Sequence, residues 1–394
     1  MPIYLDHAAT TPLRREVLDA MLPYLTDTFG NPSSPHAYGR AARAALDEAR
    51  ERLASGLHAD PREIVLTSGG TESTNLALKG AAWAAKARGH RIVTSSVEHH
   101  AVGHALRYLE KFGFEVVELP VDRYGRVDPD QLEAALTDRT ILVSIMLANN
   151  EVGTIQPIDE LIARVHTRSG ILIHVDAVQA APYVDLDLDA LGADLVSIAA
   201  HKFEGPRGAG VLYVRRGTHI LAQQHGGTQE RHRRAGTEDV AAAVGMATAY
   251  ELSTAERPTV VARLRALRNR LADAVLAVEG AESTGHPTER LAGLLSIIAR
   301  GTDGSAVTVA LDLEGLAVST GSACTTGSTE PSHVLTAMGY PDDEARGALR
   351  LSLGRTTTDA DIDTAIEVVP RVLASMRDGA ASVAADPLGE GVGV

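Results

Sequence analysis

The stretch "ADLVSIAAHKFEGPRGAGVLYVRR", residues 193–216, decides the fold of this 394-residue chain. It contains two short, continuously apolar runs, which are typical of strands that are covered on both faces of a sheet. His201 and Lys202 lie directly after the first run, followed by a glycine-rich loop that includes Pro206. Ligands of open α/β sheets bind beyond the carboxyl ends of the strands. The stretch therefore places a lysine where a ligand is expected.

Further runs of the same kind come earlier in the chain, at residues 63–68, 91–96, 115–121, 140–147 and 170–177. Helical patterns lie between or before them, at residues 40–54, 71–88, 102–112 and 158–168. Because strands and helices alternate, we expect an α/β fold with a mostly parallel seven-stranded sheet and helices on both of its faces.

The second half of the chain predicts a smaller α+β domain. Helical patterns cover residues 240–252 and 260–278 on either side of Pro258, and strand patterns follow at 294–300 and 348–354. Proline breaks or kinks a helix, so one long helical segment with an interruption at Pro258 is expected there. We predict a large domain of residues 15–255, and a small domain of residues 1–14 and 256–394.

Composition and charge narrow the class of protein. The net charge of −14 argues against binding to a nucleic-acid backbone. No apolar run is long enough to span a membrane, and the N-terminus lacks the features of a secretory signal. A single cysteine allows neither an internal disulfide nor a cysteine-cluster metal site. A cytoplasmic enzyme without a resident metal ion is expected.

Polar residues follow several of the predicted strands. Gly70 and Thr71 open a helix whose free N–H groups could hold an anion, although a plain strand-to-helix turn would look the same. A carboxylate, Asp176, could pair with a protonated pyridine nitrogen, or it could simply cap a helix. Lysine can form a Schiff base with a carbonyl cofactor. The other strand-end residues of interest are His99, Asn150, Gln179 and His201. Taken together, these residues are what pyridoxal phosphate needs.

The chain resembles the cysteine desulfurases of the NifS/IscS type, which are fold-type I pyridoxal phosphate enzymes of the class V aminotransferase group. The resemblance covers nearly the whole chain and rests on many motifs in a fixed order. Among them are "YLDHAATTP" (4–12), "TSGGTES" (67–73), "NNEVG" (149–153), "HVDAVQ" (174–179), "HKFEGPRGAG" (201–210) and "SACTTGSTEPSHVL" (322–335).

The resemblance implies a role for each cofactor-binding residue. Lys202 would bind the cofactor covalently, and His99 would stack on its ring and assist proton transfer. Asp176 would pair with the ring nitrogen, and Gln179 would hydrogen-bond the ring hydroxyl. The phosphate would contact Gly70, Thr71 and His201, together with Thr237 from the other subunit of a homodimer.

The substrate residues follow from the same resemblance. Asn150 and Arg350 would hold the carboxylate of L-cysteine, and Asn150 would also lie against the cofactor. The thiolate of Cys324 would attack the substrate sulfur, leaving L-alanine and a persulfide on the enzyme. Since Cys324 is the only cysteine of the chain, the sulfur must then pass to another molecule, such as an acceptor protein in iron–sulfur cluster assembly or in a thiolation pathway.

One position departs from the family pattern. A hydroxyl residue that contacts the phosphate commonly stands two residues before the histidine that precedes the lysine, and here that residue is Ala199. We therefore predict a missing phosphate hydrogen bond and weaker retention of the cofactor. The identity of the sulfur acceptor stays open.

Two other functions compete with the desulfurase. An aminotransferase or β-lyase of the same fold would have no use for the thiol of Cys324, and a scaffold that kept only the fold would not bind the cofactor. A Cys324→Ala variant separates the first alternative from the desulfurase. An inert, buried Cys324 is a further alternative, which its glycine- and serine-rich neighbours disfavour.

Overall fold

A computed structural model describes residues 2–321 and 331–385 of the chain. Its strands are β1 (Ile3–Tyr4), β2 (Ile64–Thr67), β3 (Arg91–Ser95), β4 (Glu115–Leu119), β5 (Thr140–Met146), β6 (Leu172–Asp176), β7 (Leu195–Ala199), β8 (Gly210–Val214), β9 (Ala281–Ser283), β10 (Leu294–Ala299), β11 (Leu316–Ala317) and β12 (Ala348–Ser352). Its α-helices are α1 (Arg15–Leu25), α2 (Ala37–Gly56), α3 (Gly70–Ala85), α4 (His100–Glu110), α5 (Pro129–Ala135), α6 (Ile158–His166), α7 (Leu188–Leu191), α8 (Val240–Val275), α9 (Gly304–Leu313), α10 (His333–Ala337), α11 (Asp342–Ala345) and α12 (Asp359–Ala385). None of these helices is long and apolar enough to cross a membrane.

The central sheet has seven strands in the order β2-β8-β7-β6-β5-β3-β4. Neighbouring strands from β7 to β4 are parallel, whereas β8 runs antiparallel to both β7 and β2. The predicted mostly parallel seven-stranded sheet is therefore confirmed. Because β3, β5, β6 and β7 point the same way, the residues that follow them meet at one edge of the sheet.

Helices cover both faces of this sheet. Successive residues of a strand point to opposite faces, so Leu142 and Val143 of β5 belong to two different apolar cores. Leu142 packs in the core that includes Leu106 of α4, and Val143 in the core that includes Leu53 of α2.

A second group of elements forms its own core. The antiparallel sheet β12-β10-β9 and the parallel pair β1-β11 pack with α9, α12 and the last turns of α8. Leu5, Leu271 and Ile297 are buried in this core. The predicted smaller α+β unit is confirmed, and the chain's first residues belong to its core.

The predicted break at Pro258 is wrong, because α8 is a single 36-residue helix that runs through the proline. Proline in a helix interior removes one hydrogen bond and costs about 3 kcal/mol. Val244 is buried in the core of the large sheet and Leu271 in the small one, so apolar burial at both ends offsets that loss.

Candidate active site

A cavity of about 360 Å³ lies at the carboxyl ends of β3, β5, β6 and β7. The sequence-predicted residues that line it are Gly70, Thr71, His99, Asn150, Asp176, Gln179, Ala199, His201, Lys202 and Arg350. Thr237 is exposed and is not part of the cavity wall. Cys324 lies outside the described residues, although Gly321, three positions before it, lines the cavity.

Lys202 ends a short 3-10 turn directly after β7. Its Nζ donates hydrogen bonds to the carbonyl oxygens of Ala8 (2.5 Å) and Ala9 (3.0 Å), which also line the cavity. Sequence reasoning missed both contacts, because a backbone carbonyl carries no residue-type signal. The "YLDHAATTP" motif thus supplies the acceptors that hold this amine at the cavity wall.

His99 follows β3 and caps the N-terminus of α4. Its Nδ1 accepts a 3.1 Å hydrogen bond from the backbone N–H of Ala101. Burial and the nearby positive charge of Lys202 lower the pKa of His99 to about 4, so the ring is neutral at neutral pH. Because Nδ1 is an acceptor, the ring proton resides on Nε2.

Asp176 and Gln179 place buried polar groups in the wall of the cavity. Asp176 ends β6 and accepts a 3.0 Å hydrogen bond from the N–H of Val178, and burial raises its pKa to about 6. The Oε1 atom of Gln179 is buried and has no hydrogen-bond partner in residues 2–321 and 331–385. A buried carboxyl and an orphaned amide oxygen fit a ring that brings a protonated nitrogen and a hydroxyl.

The N-terminus of the 16-residue helix α3 lies at one end of the cavity, where its free N–H groups could hold an anion. A Cβ atom on Gly70 would lie 2.7 Å from Cγ2 of Val178, so glycine keeps the helix start open there. A neighbouring cavity of about 390 Å³ shares Gly70 and His201 and adds the guanidinium of Arg207. Free helix N–H groups and this cation fit a phosphate.

Arg350 of β12 is only 2% exposed, and three acceptors hold its guanidinium. Nη1 donates to the carbonyl oxygens of Asn150 (2.8 Å) and Gly321 (3.2 Å), and Nη2 donates to Oδ1 of Asp6 (2.8 Å). Nε has no partner among the residues that the structure describes. The edge formed by Nε and the second Nη2 hydrogen is therefore suited to bidentate recognition of a carboxylate.

A buried carboxyl that the sequence analysis did not single out lies next to His99. Oε1 of Glu98 accepts hydrogen bonds from Oγ of Ser95 (2.6 Å) and the N–H of Met146 (2.9 Å). Burial raises the pKa of Glu98 to about 8, so this carboxyl holds its proton at neutral pH. The only signal in the sequence is its place in the run "SSVEHH", which does not reveal burial.

The architecture is that of the fold-type I α/β enzymes. The class V aminotransferase family model matches residues 3–364. The cysteine desulfurase IscS of Methanosarcina thermophila is 49% identical over 376 residues, which cover 95% of this chain and 93% of that protein. The chain therefore belongs to the class V aminotransferase family and, within it, to the cysteine desulfurase group, as its motifs indicated.

Solved structures agree with this assignment. A NifS-like protein superimposes with a TM-score of 0.90 at 36% identity, covering 95% of this chain and 100% of that one. SspA in complex with cysteine superimposes with a TM-score of 0.78 at 33% identity, covering 89% of this chain and 98% of that one.

Proposed function

We propose that this chain is a pyridoxal phosphate-dependent cysteine desulfurase that converts L-cysteine to L-alanine and takes the sulfur onto Cys324 as a persulfide. One observation carries the proposal. A single cavity gathers an amine, a buried carboxyl and an arginine edge suited to a carboxylate, and its wall includes Gly321, close in sequence to the only cysteine. The names of the relatives support the same activity.

The cavity residues fit the cofactor. When bound, pyridoxal phosphate supplies a ring that takes up electrons as a bond to the substrate Cα breaks. Asp176 would pair with the ring nitrogen and keep it protonated, and the amide of Gln179 would meet the ring hydroxyl. The N-terminus of α3 would hold the phosphate, and Lys202 would anchor the cofactor aldehyde.

The substrate is oriented by its carboxylate. The free edge of Arg350 would bind that group, with Asn150 beside it. The amine of Lys202 would accept the proton of the substrate Cα. His99 is neutral and carries its proton on Nε2, so its ring could donate that proton during the reaction.

Transfer of the substrate sulfur to Cys324 needs no external oxidant. The Cys324 thiolate attacks the substrate sulfur, and a new S–S bond forms as the Cβ–S bond breaks. The electron pair of the broken bond stays with the carbon, which is protonated to the methyl group of alanine. Cys324 follows Gly321 by three residues, and three residues of chain span at most ~11 Å, so the thiol belongs within reach of the cavity.

The chain would act as a homodimer in the cytoplasm and deliver sulfur to an acceptor protein of iron–sulfur cluster assembly or a thiolation pathway. Thr237 is exposed and outside its own cavity, as expected if it completes the phosphate site of a partner subunit. Phe29 and Tyr38 are 70% and 59% exposed, and exposed aromatic side chains of this kind favour a surface that a partner subunit covers.

The proposal includes the division into two domains that the sequence predicts. Residues 15–255 would form the cofactor-binding domain, and residues 1–14 with 256–394 the small domain that carries Cys324. Val17 is buried in the core of the large sheet, whereas Leu5 and Leu271 are buried in the small one.

A comparison of the wild type with two single-residue variants tests the proposal. The wild type, Lys202→Ala and Cys324→Ala would be loaded with pyridoxal phosphate and given L-cysteine, and alanine and sulfide would be measured. A desulfurase needs both residues for alanine formation. A β-lyase would keep releasing product without Cys324, and a scaffold protein would show no borohydride-sensitive absorbance dependent on Lys202.

A further inference from the structure

Two carbonyl groups near the N-terminus accept hydrogen bonds from the amine of Lys202. Nζ of Lys202 lies 2.5 Å from the carbonyl oxygen of Ala8 and 3.0 Å from that of Ala9. A neutral amine has two N–H groups, so two acceptors can orient it. The same oxygens stabilise an ammonium group, because hydrogen bonds from a charged donor are stronger than those between neutral groups. The two carbonyls therefore suit an amine that gains and loses a proton.

Ser352 of β12 fixes the segment that carries these carbonyls. Its Oγ accepts a 2.9 Å hydrogen bond from the N–H of Ala8. Its backbone N–H donates to the carbonyl oxygen of Leu5 (2.7 Å), and its own carbonyl oxygen accepts from the N–H of His7 (3.2 Å). Ser352 is only 2% exposed, and a buried N–H group is unfavourable without an acceptor. The hydroxyl of Ser352 thus determines where the peptide of Ala8 lies.

A turn joins these acceptors to the arginine that would bind the substrate carboxylate. The N–H of Ala9 donates to the carbonyl oxygen of Asp6 (3.1 Å), which closes the turn. The carboxylate of the same Asp6 accepts from Arg350 (2.8 Å). Arg350 and Ser352 are two residues apart on β12, so their side chains point to the same side of the strand. The acceptors of Lys202 are therefore fixed relative to Arg350.

The other end of the N-terminal segment is attached to the turn that carries Lys202. Thr11 donates to the carbonyl oxygen of His201 from both its N–H (3.0 Å) and its Oγ1 (2.8 Å). Oγ1 of Thr11 also accepts from the N–H of Glu204 (2.8 Å). Because Lys202 lies between His201 and Glu204, its backbone is held by the same segment that supplies its acceptors. These contacts do not involve the Ser352 hydroxyl, so variants at residue 352 should fold.

We propose that the carbonyl groups of Ala8 and Ala9 position the amine of Lys202 for proton transfer, and that Ser352 is the positioning residue that holds them in place. This inference rests on the proposed function, in which the amine takes the proton of the substrate Cα. In that step the Cα–H bond breaks, its electron pair stays with the substrate and cofactor, and the proton moves to the neutral amine. The two carbonyl oxygens stabilise the ammonium group that results.

Exchange of the Cα proton of L-alanine in deuterium oxide measures this step in the pyridoxal phosphate-loaded enzyme, because L-alanine has no sulfur to transfer. Ser352→Ala should lower the rate constant at saturating L-alanine about 10-fold, since the amine loses its orientation. The concentration for half-maximal exchange should stay within about 2-fold, because Asp6 still orients Arg350. Ser352→Thr keeps the hydroxyl and should restore most of the rate.

The cofactor-free protein gives a second readout that does not depend on activity. A double-mutant cycle combines Ser352→Ala with Lys202→Met and follows urea unfolding. If Ser352 acts on Lys202 through the shared acceptors, the loss of urea midpoint on Ser352→Ala should be about half as large in the Lys202→Met background. A hydroxyl that only stabilises the fold would give equal losses in the two backgrounds.

Thr284→Val is a matched control, because it removes another buried hydroxyl, one that donates to Oγ of Ser296 in β10 (2.7 Å). It should lower the urea midpoint equally in both backgrounds and leave Cα exchange unchanged. Unchanged exchange in Ser352→Ala, or an additive cycle with Lys202→Met, would overturn the positioning role. If Cys324→Ala forms alanine from L-cysteine as fast as the wild type, sulfur transfer to Cys324 fails. Exchange that still depends on Ser352 in that variant would support the positioning role independently.

Discussion

Oδ1 of Asp6 accepts a 2.8 Å hydrogen bond from Nη2 of Arg350, which joins the start of the chain to a residue 344 positions later. The contact orients a guanidinium that is almost fully buried, and it compensates its charge. Because Asn150 and Gly321 occupy Nη1, Asp6 determines that the edge with Nε remains for a ligand.

Removing the acceptor on Asp6 should weaken substrate binding. In Asp6→Ala the guanidinium of Arg350 loses its orientation, so KM for L-cysteine should rise about 10-fold and the free energy of unfolding should fall by about 2 kcal/mol. Asp6→Asn keeps an acceptor oxygen and should return KM to within about 3-fold of the wild type. Steady-state kinetics and urea unfolding measure both effects, and an unchanged KM in Asp6→Ala would show that Asp6 does not orient Arg350.

His99 combines a helix cap with a proposed chemical role, and two substitutions separate them. Asparagine is a strong N-cap residue, so His99→Asn should retain the stability of α4, whereas His99→Ala should lose about 1 kcal/mol in urea unfolding. Neither variant has the imidazole, so both should lose most of kcat. Normal turnover by His99→Asn would rule out a catalytic part for the ring.

Glu98 should make the stability of the cofactor-free protein depend on pH. Its pKa is about 8 in the folded protein against 4.5 in the unfolded chain, so the folded state holds the extra proton between these values. Stability must therefore fall as pH rises through this window, by up to about 1.4 kcal/mol per pH unit. Glu98→Gln should flatten the fall, which urea unfolding at several pH values would detect. A parallel profile in the variant would contradict the raised pKa.

The alanine at position 199 should weaken retention of the cofactor. Ala199 lines the cavity, and its Cβ is 3.6 Å from a Cβ placed on Gly70, at the end where the phosphate is proposed to bind. Ala199→Ser adds a donor to a charged group and should lower the cofactor dissociation constant about 10-fold. Gly70→Ala should act in the opposite direction, because its Cβ would meet Val178 at 2.7 Å. Equilibrium titration of the apoprotein with pyridoxal phosphate measures both dissociation constants. An unchanged dissociation constant in Ala199→Ser would contradict the predicted missing hydrogen bond to the phosphate.

Local sequence signals were enough for the large sheet but not for the small elements. The seven strands were predicted because each is a continuous apolar run between turns. The pairing of β1 with β11 joins Ile3 to Leu316. No local pattern in such short strands predicts a contact between residues so far apart in the sequence. Pro258 misled the prediction for α8, because tertiary burial at both ends outweighs local propensity.

The site divides in the same way. Residues at strand ends, such as Lys202 and Asp176, were predictable from the rule that ligands bind at that edge of the sheet. The groups that hold Lys202 and Arg350 were not predictable, because the carbonyl oxygen of Ala8 and the distant carboxylate of Asp6 meet these side chains only in the folded chain. The role of Thr237 in a partner subunit stays a prediction.

The most direct test is a single turnover of the pyridoxal phosphate-loaded enzyme with L-cysteine, stopped by an alkylating reagent and read by peptide mass spectrometry. Because the chain has one cysteine, every alkylated sulfur maps to Cys324. We predict one added sulfur atom on the Cys324 peptide for each alanine formed. Alanine formed at full yield, with no sulfur added to that peptide, would contradict the persulfide mechanism.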